Sequence, residues 1–200
     1  MKKDILLFMA LGLLFFSCAS KPAFEGCGDL CGLVIDENNY PVKDFIVYCE
    51  ASEKGWFSGN DIQPVLTNES GLFVFPSLPS GDYFISGEKN NYLRIEQVVY
   101  RFNNRTNILC LQTKTFKEAL LKSEELLSLG QNKAAIELLD KISFEKKSYQ
   151  QELVYFFKFF ALERKEEKRE LLVEIQNISV SKASSDFSKS FTAKLEEVIK

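Results

Sequence analysis

The apolar residues of this 200-residue chain change their spacing once, near Thr113, and that change limits what the chain can fold into. Before Thr113, short apolar runs alternate with turn residues, and apolar positions recur about every second residue, as in a half-buried strand. After it they recur about every 3.6 residues, as in an amphipathic helix. All five prolines and every glycine except Gly130 precede the change; Leu, Glu and Lys dominate after it. The predicted fold class is α+β multidomain: an N-terminal antiparallel β-sandwich over residues 28–113, followed by a C-terminal all-α helical-hairpin array over 114–200.

The runs in the first half read as about seven short strands. Leu30 to Asp36 ends in the turn residues Asp36, Asn38 and Asn39. In Phe45 to Ala51, Phe45, Val47 and Cys49 share one face, and Ile46 and Tyr48 the other. A turn at Asn68 to Gly71 feeds a strand with Phe73 and Phe75 on one side, and Gly71 supplies a positive φ there. Further strands follow from Tyr83, through Arg94 to Phe102, and through Thr106 to Gln112. Turn-punctuated strands at this spacing predict a sandwich.

These residues also carry a resemblance. Gly32-x-Val34-x-Asp36, Pro41-Val42, Thr67-Asn68-x-x-Gly71-x-Phe73-x-Phe75, Leu78-Pro79-x-Gly81-x-Tyr83 and then Tyr92 resemble the carboxypeptidase regulatory-like domain, a transthyretin-like sandwich. Asn68 stands where that family has Asp, Asn91 where it has Gly, and the segment after Cys49 is longer. The resemblance implies a structural module. The catalytic domain that precedes it in metallocarboxypeptidases is absent, and the chain has no histidine to hold a zinc ion.

Phe116 to Ile142 reads as two helices, with Gly130 ending the first and Asn132 as N-cap of the second. Ala119, Leu120, Leu126 and Leu127 line the first; Ala135, Ile136, Leu138, Leu139 and Ile142 line the second. Gly130 and Ala135 are similar to the turn and second helix of a tetratricopeptide repeat. The first-helix aromatic pattern and the closing proline of that repeat are missing, so plain four- or five-helix packing stays open. Residues 149–164, 166–178 and 185–200 predict three more helices. The cluster Tyr155, Phe156, Phe157, Phe159 and Phe160 is wider than one helix face. It requires cover on several sides, or leaves a groove for a peptide.

At the N-terminus, Lys2 and Lys3 precede an apolar run from Ile5 to Phe16, too short for a membrane span of roughly 20 residues. Ser17 and Cys18 follow. This resembles a bacterial lipoprotein signal peptide, with 1–17 removed and 18–27 as a lipidated linker, although Phe15 and Phe16 replace the usual Leu and small residue. An ordinary signal cut near Ser20 is the other reading. The resemblance implies acylation of Cys18, and Ala19 in place of Asp implies sorting to the outer membrane of the cell envelope.

Four cysteines remain: Cys27, Cys31, Cys49 and Cys110. Export permits two disulfides, with Cys49–Cys110 across the sandwich and Cys27–Cys31 locally as one pairing. A four-thiolate zinc site is the alternative, poorly served by this spacing. The absence of histidine removes the commonest general base and metal ligand, and a net charge of −3 offers no basic footprint for nucleic acid. No enzyme, cofactor or metal site is expected. Trp56 and Phe57, in the long polar segment, could stack on a sugar or fold back on the sandwich. Glu53, Asp61 and Glu69 lack calcium-loop spacing and read as solvated. The expectation is a membrane-tethered, non-catalytic binding or scaffold module. Its protein or peptide partner would sit on the helical half, with glycan binding through Trp56 and Phe57 as the alternative.

Overall fold

The computed structural model describes residues 24–52, 62–146, 148–181 and 193–197. Cys18, Trp56, Phe57, Glu53 and Asp61 lie outside them. The strand-period half forms two sheets. In one, β1 (Cys27–Ile35) lies between β4 (Leu72–Pro79) and β8 (Ile108–Gln112). The other runs β3 (Val65–Leu66), β2 (Ile46–Ala51), β5 (Gly81–Glu88), β7 (Ile95–Phe102).

The expected all-antiparallel pairing needs one correction. β8 runs parallel to β1, so the first sheet is mixed. The cause is topological: β7 and β8 belong to different sheets, and a strand that crosses the sandwich can enter beside β1 in either direction.

Alternation drives the core. Leu30 and Val34 of β1, Phe73 and Phe75 of β4, and Leu111 of β8 meet Val47 and Cys49 of β2, Tyr83 and Ile85 of β5 and Phe102 of β7. Phe45, just before β2, joins them. Gly32 makes room for a ring: a Cβ there would sit 2.0 Å from Cζ of Phe73. The Tyr83 hydroxyl donates to the Pro79 carbonyl at 2.9 Å, which satisfies its polar end beside the core. Buried Thr67 accepts from the Phe45 N–H at 2.9 Å and donates to the Val42 carbonyl at 2.6 Å.

The turn before β4 explains one departure from the family pattern. Asn68 Oδ1 accepts from the N–H groups of Ser70 (2.9 Å) and Leu72 (3.0 Å). Only an acceptor oxygen is used, so Asn serves as well as Asp. Gly71 has φ 71°, the left-handed region expected of it.

The second half contains α1 (Phe116–Ser128), α2 (Asn132–Asp140), α3 (Tyr149–Ala161), α4 (Lys165–Ser181) and a short helical stretch at 193–197. α1 packs on α2, both pack on α3, and α3 packs on α4. Gly130, at φ 69°, closes α1: its N–H donates to Leu127 O, and the Gln131 N–H donates to Leu126 O. This is a Schellman closure. It also corrects the expected cap. Gln131 is the N-cap of α2 and Asn132 its first helical residue, because the closing turn feeds directly into the next helix.

α3 is covered on two sides. Phe156 and Phe159 pack with Leu172 and Ile175 of α4 and with Leu195. Tyr155 and Phe157 pack against Ala119, Leu139, Ile142 and Val154. Phe160 stays exposed, edge-on to Phe159 at 5.9 Å between ring centroids.

The two halves are joined by more than the chain. β6 (Tyr92–Leu93), on the sandwich side, pairs with β9 (Ile142–Ser143), which lies between α2 and α3. Leu93 packs into the helical cluster. Thr115, the N-cap of α1, donates its N–H (2.9 Å) and hydroxyl (2.7 Å) to the Glu37 carboxylate. Arg94 donates to the Asp140 carbonyl at 2.8 Å, and Lys141 pairs with Glu96 at 2.8 Å. Periodicity did not reveal β6 and β9, since two-residue strands have no period.

Candidate functional site

The thiols can be placed first. All four described cysteines are free. Cys27 and Cys31 lie on the same extended strand, where four residues span about 13 Å, whereas disulfide-bonded Cα atoms lie within about 7 Å. Cys49 points into the core from one sheet, while Cys110 points outward from the other. The pairing Cys27–Cys31 with Cys49–Cys110 is therefore overturned by geometry. Alternation could have shown this for Cys110, because it is out of phase with Leu111, which fills the core. Burial, with a smaller contribution from Glu50, pushes the Cys49 thiol up to about 12, so it is a core side chain and a poor nucleophile. Among the described residues no three Cys, Asp or Glu side chains gather as metal ligands.

A shallow depression of about 440 Å³ lies where the sandwich meets the helices, lined by Tyr48, Glu88, Arg94 and Glu96 among others. Its polar groups serve the fold. The Tyr48 hydroxyl donates to Glu88 at 3.1 Å, Arg94 holds the Asp140 carbonyl, and Glu96 holds Lys141.

The feature without a structural use is the outer face of the mixed sheet. Register sets two rows of three side chains across β4, β1 and β8. The first row is Val74, Cys31, Ile108; the second is Leu72, Leu33, Cys110. None is charged. The flanking strands are open to solvent, with Ile108 65%, Val74 44% and Leu72 42% exposed. The outward residues of an antiparallel sandwich are ordinarily polar. The other sheet mixes the two kinds: its outward rows set Glu88 beside Ile46 and exposed Leu66, Ser86 beside Tyr48, Glu50 beside Phe84 and exposed Val99, and Asp82 beside Arg101.

A second exposed apolar pair, Val98 and Val99 on edge strand β7, is guarded differently. The two point to opposite faces, and Glu96 and Arg101 flank them. Charges on an edge discourage strand addition. In the helical half, exposed Leu121, Leu129, Tyr149, Phe160 and Val173 lie two or more turns apart wherever two fall on one helix. Scattered residues of this kind need no functional account.

No helix among the described residues is long and apolar enough to cross a membrane. Glu37 carries the main electrostatic signal at the junction. Burial alone would raise its carboxyl, but the two hydrogen bonds from Thr115 and the nearby Lys114 prevail and hold it below the usual glutamate value.

No protein-family model matches the chain, and no curated protein matches it. Among solved structures it is similar to the Bacillus anthracis TIE protein, at 19% identity and TM-score 0.36, over 46% of this chain and 17% of that one. It is also similar to a streptococcal ancillary pilin, at 14% identity and TM-score 0.38, over 45% and 30%. The major pilin subunit of Bacillus cereus matches at 12% identity and TM-score 0.35, over 44% and 28%. The chain thus spans less than a third of each. The fold is read from its own sheets and core: the chain is a β-sandwich with a helical region docked against it.

Proposed function

We propose that this protein is a membrane-tethered, non-catalytic module that binds a protein partner through the outer face of its mixed sheet. The observation that carries the reading is the two in-register rows of uncharged side chains on β4, β1 and β8, with Ile108, Val74 and Leu72 exposed. Adjacent apolar side chains in register point to an interaction site more than scattered single residues do. The helical half, fixed by β6–β9 and by Glu37–Thr115, moves with the sandwich as a second arm of a scaffold. Acylation of Cys18 supplies the tether to the bacterial envelope. The motif order over 28–113 supports a carboxypeptidase regulatory-like sandwich, and the Gly130 turn with Ala135 supports a tetratricopeptide-like hairpin.

Cross-linking in intact cells tests the face. Discrete adducts in the wild type should be lost when both Val74→Lys and Ile108→Lys are introduced; adducts that persist unchanged refute the assignment. Acyl-label incorporation tests the tether, and should vanish in Cys18→Ala.

A further inference from the structure

We propose that the end of the sandwich built around Phe24 and Arg105 is the end that faces the bilayer, and that the helical half is carried on the side away from it. The inference rests on the tether through Cys18 proposed above and adds an orientation. Three contacts fix the point where the chain leaves the sandwich. Phe24 packs on the sandwich core, edge-on to buried Phe102 at 5.0 Å between ring centroids. The Arg105 guanidinium lies over the Phe24 ring at 4.7 Å and donates to the Glu25 carbonyl at 2.8 Å. Its stem lies along the start of β1, where a Cβ at Gly28 would come within 2.8 Å of Cγ. The loop that carries Arg105 is itself closed: Asn104 Oδ1 accepts from the Thr106 N–H at 2.9 Å and from the Thr106 hydroxyl at 2.8 Å. A cation over a ring and a charge-assisted hydrogen bond both favour this one geometry.

The clamp limits the reach of the tether. From Cys18 to Phe24 the chain advances six residues, which span at most about 22 Å whatever path they take. With the root held at Phe24, that end of the sandwich stays within this distance of the acylated residue. Without the clamp the root would move to Cys27, where β1 begins, and the limit would rise to about 32 Å.

The helical half docks at the other end. β1 runs from Cys27, beside the clamp, to Ile35, a rise of about 25 Å. The contacts that hold the helices lie at its far end. Glu37 receives the two hydrogen bonds of Thr115, and Arg94, just before β7, holds the Asp140 carbonyl. β7 then runs back to Phe102, which pairs with Gly81 at the clamped end. In this orientation the sandwich is a spacer between bilayer and helices. The uncharged outer face of β4, β1 and β8 looks sideways, along the membrane.

The test uses the full acylated chain in phosphatidylcholine vesicles that carry an acceptor dye on the head group. A fluorescent amino acid is placed in turn at Ser80, between β4 and β5 at the clamped end, and at Lys117, in the first turn of α1. Energy transfer should be strong from Ser80 and weak from Lys117. Glutamyl endopeptidase supplies a second readout, because Arg105 holds the carbonyl of the Glu25–Gly26 bond that this protease would cut. Release of the fragment that begins at Gly26, followed by mass spectrometry, should be slow in the wild type and on the order of tenfold faster in Arg105→Gln. The same variant should narrow the gap between Ser80 and Lys117. It should keep the wild-type circular dichroism melt, since Arg105 is exposed. Equal transfer from the two positions in an acylated wild type overturns the orientation and leaves the tether standing. Release at Gly26 that is indifferent to Arg105→Gln overturns the clamp on which the orientation depends. A chain that takes up no acyl label at Cys18 overturns the tether and the orientation together.

Discussion

Gly32→Ala offers the sharpest test of the sandwich packing. Gly32 sits inside β1 on the same inward face as buried Leu30 and Val34, and a methyl there would meet Phe73 at 2.0 Å from Cζ and 2.4 and 2.7 Å from the two Cε atoms. Real Cβ atoms essentially never approach within 3.0 Å, so the ring tip must retreat by more than 1 Å. Phe73 is 2% exposed and packs edge-on to Phe75 at 5.8 Å, which leaves it little space. Overpacking of this kind costs roughly 1–3 kcal/mol. The alanine recovers about 0.4–1 kcal/mol by restricting the unfolded chain. The net expectation is a loss of about 1–2 kcal/mol. Phe73→Leu shortens the obstructing ring and should itself be destabilising, by less than the roughly 3–5 kcal/mol of a Phe→Ala change. Combined, the two should cost at least about 1 kcal/mol less than their sum, since each relieves the other. Urea unfolding of the four proteins, followed by circular dichroism, measures the cycle. A Gly32→Ala protein as stable as wild type, or strictly additive costs, would show that the β1–β4 contact is not as described.

Other consequences are open to equally direct assays. The Glu37 carboxyl is lowered on folding, so its contribution is complete above the ordinary glutamate value and is lost as pH falls through the lowered one. Protection factors of the first α1 amides should therefore drop in acid, and Glu37→Gln should flatten that dependence; an unchanged pH profile would contradict the clamp. Mass mapping of the folded protein should find Cys27, Cys31, Cys49 and Cys110 all unbridged. Iodoacetamide should modify Cys27 and Cys110 first, Cys31 more slowly, and Cys49 only on unfolding, because burial holds its thiol at about 12. Phe159→Ala, at a fully buried ring between α3 and α4, should cost about 3–5 kcal/mol in the stability of the helical half, measured by hydrogen exchange in α4.

The parts of this fold that were legible in the sequence are those with a period or a special turn. Phe73 and Phe75 announced a half-buried strand by alternation, and Gly71 and Gly130 marked left-handed turns where the structure has them. The direction of β8 was not legible, because strand polarity is set by which sheet the chain enters and not by local pattern. Nor were β6 and β9, whose two-residue pairings depend on contacts between distant segments. The disulfide expectation placed Cys49 inward by alternation and left the facing of Cys110 open; the strand geometry that separates Cys27 from Cys31 appears only once β1 extends through both. The uncharged outer face was written in the alternation of Leu72, Val74, Leu33, Ile108 and Cys110. Its meaning emerged only when register joined them across three strands.

The central claim is that the outer face of the mixed sheet, and not the β7 edge or the helices, meets the partner. The most direct measurement is photo-cross-linking in cells from a probe residue placed in turn at Ile108, Leu72, Val99 and Phe160. The account predicts protein adducts from Ile108 and Leu72 and none above background from Val99 or Phe160. Adducts from Val99 or Phe160, with none from Ile108 and Leu72, would contradict it.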